Sequence, residues 1–163
     1  MLGEGDARAL KLVDLPVLKR LLDSGVTLDS EQAFTRADER PDLLASVLLP
    51  ARGLYTLVAR AEKQIAFGQF RLKGDDTHAR ITYITPDLAQ DADDTALLHL
   101  LDAMTAEAGR RGAHMLTAEV DEYLQLFDTL RVSGFATYAR QEIWQRMPEP
   151  LPCLRVDTVE LTP

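Results

Sequence analysis

The sequence predicts an α+β fold of three layers, with a mixed, mostly antiparallel central sheet of about six to seven strands and helices on both faces. Three observations carry that expectation. Residues 54–86 hold three apolar runs in close succession, LYTLVARA, QIAFGQFRLK and HARITYITP, separated by the charged corner Glu62-Lys63 and the turn Lys73-Gly74-Asp75-Asp76, which is the pattern of a meander. Leu97, Leu100, Leu101, Met104 and Ala108 then recur at helical spacing. The apolar run AHMLTAEV (Ala113–Val120) follows that helix, so it returns to the sheet parallel to HARITYIT through a right-handed crossover.

The elements follow in order. ALKLV (Ala9–Val13) reads as a short strand. Asp14 caps a helix with Pro16 in its first turn and Val17, Leu18, Leu21 and Leu22 on one face, and Gly25 ends it. Thr27–Asp42 is polar and reads as loop, after which DLLASVLLP gives a second short helix stopped by Pro50. In the third strand of the meander Ala79, Ile81, Tyr83 and Thr85 alternate with Arg80, Thr82 and Ile84, which assigns the two sets to opposite faces. Asp93, Asp94 and Thr95 offer acidic or capping groups at the positive end of the long helix, and Arg110, Arg111 and Gly112 complete its other end. Another helix is expected over about Tyr123–Val132, with Tyr123, Leu126, Phe127 and Leu130 inward, closed by Ser133-Gly134. ATYARQEIWQR (Ala136–Arg146) reads as a strand, with Trp144 buried against the long helix or marking a contact edge. Residues 1–147 are read as a single domain, and residues 148–163 as a proline-rich segment with a terminal strand or linker.

Composition narrows the function. At 163 residues, 46% hydrophobic and 27% charged, the chain suits one globular core. Eighteen basic against 26 acidic residues leave a net charge of −8, which argues against a nucleic-acid partner and against an anionic membrane surface. The opening MLGEGDARAL has no apolar core and no apolar run approaches a bilayer span, so a cytoplasmic protein is expected. Cys153 is the lone cysteine, and His78, His99 and His114 lie far apart, so neither a disulfide nor a metal site is expected.

Strand, helices, three meandering strands, long helix, strand, helix, strand: over about Ala9–Arg146 this order resembles the GNAT superfamily of N-acetyltransferases. Local features agree with it, namely Gly68 inside the second meander strand, Ile84-Thr85-Pro86 closing the third, and Ser133-Gly134-Phe135-Ala136 at the end of the last helix. The resemblance implies acetyl-CoA as cofactor and a small-molecule primary amine as acceptor. It further implies that the backbone of Ile84 and Thr85 offers N–H and C=O groups to an extended pantetheine arm.

The loop after Pro86 departs from the family's pattern, which runs acidic, any, Arg or Gln, Gly, any, Gly, apolar, Gly or Ala, any, any, Leu, Leu. Counted without a gap, Leu97 and Leu98 fall on the final pair, so the frame is intact. Its contents are not, because Ala89 stands at the Arg or Gln position and Gln90, Ala92 and Asp94 stand where glycines belong. Gln90 would match the family's Gln only if the loop shifted by one position. Glycine suits that place because bare backbone must approach a diphosphate at a helix N-terminus. Asp91, Asp93 and Asp94 add negative charge beside an anionic ligand. Two unit charges about 6 Å apart repel by roughly 3 kcal/mol at an effective dielectric near 20, which corresponds to about two orders of magnitude in affinity.

The chemistry positions read alike. Acetyl transfer needs a base for the amine and an acid for the departing thiolate. The family often uses a Tyr four residues before the Gly of its Gly-Phe pair, and here that residue is Leu130. The candidates that remain are Glu119 and Glu122, at the end of AHMLTAEV, and Tyr123 as a displaced donor. Two functions of different class follow: an N-acetyltransferase with a rebuilt cofactor loop, or a GNAT-fold module with weakened or lost acetyl-CoA binding that acts as an interaction or regulatory lobe. The second would take a protein partner or form a homodimer, across Trp144 and the terminal strand. A third reading is an unrelated α+β ligand-binding domain with the same order of elements.

Overall fold

The computed structural model describes residues 6–30, 53–74, 76–89, 92–142 and 144. Among the described residues six strands form one sheet: β1 (Asp6–Ala9), β2 (Val26–Thr27), β3 (Leu54–Ala61), β4 (Gln64–Arg71), β5 (His78–Thr85) and β6 (Met115–Thr117). Their spatial order is β1-β3-β4-β5, and the far edge of β5 is shared by β2 and β6. Every pairing is antiparallel except β5 with β6, as the crossover through a helix requires.

The meander forms where alternating apolar residues bury both faces. β3 and β4 pair without a break from Leu54↔Arg71 to Ala61↔Gln64, and Glu62 takes the left-handed turn conformation at φ 49° to close the hairpin. Helix α2 (Thr95–Arg110) lays Leu97, Leu100, Leu101, Met104 and Ala108 on one face of the sheet, with Leu126 and Leu130 of α3 (Gln125–Val132) beside it. Gly68 faces α2. A side chain there would meet Met104 Sδ and Leu100, so the bare backbone lets the helix settle closely on the sheet. On the opposite face α1 (Leu15–Leu21) packs Leu18 against Val58, Phe67 and Tyr83. The mixed, mostly antiparallel sheet with helices on both faces is therefore the expected three-layer fold. The expected helix over Asp42–Pro50 lies outside the described residues.

Several details differ from the sequence reading. The first strand is Asp6–Ala9, not Ala9–Val13, because Asp14 is buried and draws the chain into a turn. Its carboxylate accepts from Arg8 at 2.8 and 2.9 Å, from the Lys11 amide at 3.0 Å and from Arg60 at 3.3 Å. The hydrogen bond from Arg8 holds the Asp14 carboxyl below its usual range despite burial, helped by Lys11 and Arg60. Leu12 and Val13 are turned outward as a result.

The strict alternation in β5 is also interrupted. Gln69 pairs with Tyr83 and Phe70 with Ile81, which leaves Thr82 as the extra residue of a β-bulge. Ile84 thus joins Ala79 and Ile81 in the core under α2, while Tyr83 packs with Phe67 on the α1 face. Tyr123, expected inward, is 89% exposed, because α3 begins only at Gln125. Residues 136–142 form no strand, and Trp144 is 86% exposed instead of buried against α2. The alternation there is a local preference that finds no ladder among the described residues.

Candidate functional site

The site lies where β5 and β6 part. β6 pairs with β5 only at His78, Ala79 and Arg80, and the bulge at Thr82 then increases the local twist and bends the strand. The gap does not stay open. A strap formed by residues 26–30 enters it, with Val26 paired to Ile84 and Thr27 to Tyr83. The Leu28 amide donates to the Thr82 carbonyl at 2.9 Å, and the Leu28 carbonyl accepts from the Glu119 amide at 3.2 Å. The strap thus bridges the two diverging segments through its main chain. Leu28 is 0% exposed and belongs to the core under α2.

Both ends of the strap are fastened. At its start Tyr83 donates its hydroxyl to the Leu22 carbonyl at 2.6 Å, Thr85 donates to the Leu21 carbonyl, and the Asp87 amide donates to the Ser24 carbonyl. Burial raises the Tyr83 phenol above its usual pKa, which keeps it a donor. Gly25 passes directly over this ring, and a methyl group there would overlap the Tyr83 hydroxyl. At its far end the Ser30 amide donates to Glu119 Oε2 at 2.8 Å. Burial pushes the Glu119 carboxyl up, but hydrogen bonds from Ser30, the charge of the Arg80 guanidinium 4.0 Å away and a hydrogen bond from Gln141 outweigh it and hold the group below the usual carboxylate range.

The start of α2 forms the neighbouring part of the site. Asp93 Oδ1 accepts from the Thr95 amide at 3.0 Å and from the Thr95 hydroxyl at 2.6 Å, and these two bonds lower its pKa. Asp94 accepts from the Thr129 hydroxyl at 2.9 Å, which ties the loop to α3. The first amide of the helix is therefore capped by a carboxylate of the chain itself. A ligand anion arriving at this end of α2 would meet the Asp93 and Asp94 carboxylates, and the Thr95 amide already has an acceptor. Gln90 and Asp91 lie outside the described residues.

Glu119, Glu122 and Tyr123 do come together, along one cleft of about 1060 Å³ between the end of β6, α3 and the segment that follows it. Phe127 and Leu130 line the same cleft. Leu130 is buried and apolar, so the position of the expected proton donor carries none. Glu122 lies half exposed, 3.6 Å from Arg140. Ile84 and Thr85, expected to meet a pantetheine arm, are buried, with Ile84 already paired to Val26. The reading of Thr27–Asp42 as polar loop missed the strap. Its signal was the short pattern Val26-Thr27-Leu28 directly after a glycine. Among the described residues no group of acidic, His or Cys side chains is arranged to hold a metal ion, and no helix is long and apolar enough to cross a membrane.

No family model matches this chain, and no curated protein does. Solved structures do. The aminoglycoside N-acetyltransferase AAC(6')-Iy, in complex with a CoA-linked bisubstrate analogue, superposes with a TM-score of 0.60 at 14% identity, over 90% of this chain and 100% of that one. An acetyltransferase of Trypanosoma brucei gives 0.57 at 15% identity, over 88% and 100% of the two chains. Glucosamine-6-phosphate N-acetyltransferase from Arabidopsis thaliana gives 0.57 at 12% identity, over 87% and 98%. The fold is that of the GNAT N-acetyltransferases. At such identities the likeness concerns architecture, and the site has to be judged on its own residues.

Proposed function

We propose that this chain is a GNAT-fold module whose acetyl-CoA binding is weakened or lost and which serves as an interaction or regulatory lobe. One observation carries the reading: the start of α2, where a diphosphate would be received, is capped by Asp93 and flanked by Asp94 held on Thr129. A carboxylate that already satisfies the first helical amide competes with a ligand phosphate and repels it. The apolar Leu130 supports the same reading, since a departing thiolate would find no donor there. A protein partner, or a second copy of the chain, is supported by the exposed aromatic side chains Tyr123, Tyr138 and Trp144.

Thermal unfolding with and without millimolar acetyl-CoA tests it. A ligand at about 100 times its dissociation constant stabilises a fold by roughly 2.7 kcal/mol, which is a rise of several degrees for a chain of this size. The expected result is no rise. A clear rise would restore the competing reading, an active N-acetyltransferase that moves an acetyl group to a primary amine with a rebuilt loop.

A further inference from the structure

We infer that Val26–Ser30 is a built-in surrogate for the cofactor's extended arm, and that this strap, more than the loop before α2, keeps the slot between β5 and β6 closed to it. The inference rests on the reading above that the cofactor seat is altered, and adds which part of the chain alters it. The strap is held as a ligand chain would be held, by carbonyl and amide groups on both walls: the Thr82 carbonyl on β5 and the Glu119 amide beyond β6. An extended polypeptide presents amide groups at regular intervals, and the pantetheine arm of coenzyme A is likewise an extended chain carrying two amides. Both therefore suit the same pair of walls, and only one can occupy them. Leu28 differs from any such arm, because its side chain fills the core where the sheet splits. An arm could bind only to molecules with the strap displaced, so its apparent affinity falls by the fraction of molecules in that state.

Two positions allow the strap to be lifted. In Gly25→Ala the new methyl group overlaps the Tyr83 hydroxyl and stands 2.8 Å from the Ile84 carbonyl, which forces the strap off β5. In Glu119→Ala the Ser30 amide loses its acceptor. The probes are pantetheine, which lacks the diphosphate, and coenzyme A, each titrated at up to about 1 mM against wild type, both variants and Ala92→Gly/Asp94→Gly. Folding is checked by circular dichroism and amide exposure by hydrogen exchange. Pantetheine is expected to bind the folded strap variants at least about tenfold more tightly than wild type, while the loop variant gains nothing for pantetheine. A folded strap variant whose Leu28 and Glu119 amides exchange faster but which gains no affinity overturns the inference. A gain confined to the loop variant overturns it as well. Should neither strap variant fold, wild-type exchange decides: Leu28 and Glu119 amides as protected as that of Leu100 support the surrogate, and exchange at the rate of an exposed loop overturns it. Binding of acetyl-CoA to wild type with no gain in either folded strap variant would bring down both readings, whereas wild-type binding that the strap variants strengthen would bring down the proposed function and leave the strap as the segment that limits access.

Discussion

The β3–β4 hairpin and the β5–β6 pair are both made from short runs of alternating apolar residues, yet they end in different ways. The hairpin holds its ladder through eight residue pairs and buries an uninterrupted core under α2. The parallel pair holds for three and then opens at the Thr82 bulge. In the hairpin each residue finds its partner across one turn of the chain, from Ala61↔Gln64 beside the corner out to Leu54↔Arg71 at the far end. At the split, the partner of Thr82 is Leu28 and the partner of Leu28 is Glu119, so three distant segments must meet to satisfy one set of amides. A regular ladder leaves little room for a new function, whereas a split sheet provides a slot that either a ligand or the chain itself must fill.

Leu28→Ala tests that comparison most severely. If the strap is core and not surface loop, the substitution should cost about 2–5 kcal/mol in urea unfolding, on the scale expected of Phe70→Ala in the hairpin. A loss below about 1 kcal/mol would mean that the strap merely lies over the split. Asp14→Asn comes next, at about 1–3 kcal/mol, because the buried acceptor of Arg8 and Arg60 would lose its charge while both guanidinium groups can still reach water. Its pH dependence has a definite sign. The folded pKa of Asp14 lies below the unfolded value, so its contribution is complete above the unfolded carboxylate range and is lost as pH falls through the folded value. The gap between wild type and Asp14→Asn should narrow below about pH 4. Thr129→Val is the smallest, about 1 kcal/mol from the lost bond to Asp94, and it should loosen the start of α2 without altering the strap, as amide exchange at Thr95 and Leu28 would report.

Much of the fold could be read from local pattern. The heptad-like recurrence from Leu97 to Ala108, the hairpin from Leu54 to Arg71 and the glycine closing α3 each arise from neighbours in the chain, and all stand where the pattern puts them. The candidate site was legible in part. The carboxylates before α2 and the apolar Leu130 are visible as residue types, and the structure adds that Asp93 caps Thr95 and that Asp94 reaches Thr129. Tyr123 was misjudged, and Trp144 was left between burial and an exposed edge, because a short aromatic pattern does not reveal whether a neighbouring element covers it.

The sequence by itself determined the periodic elements, their order, and the absence of glycine between Pro86 and Thr95. Only the tertiary structure decided that Val26–Ser30 closes the slot, that Thr82 bulges, and that Glu119 holds Ser30 rather than standing free beside it. The physical reason is separation along the chain. Three residues of alternating character carry too little periodicity to announce a strand, and their stability comes from edges that are supplied some fifty to ninety positions away.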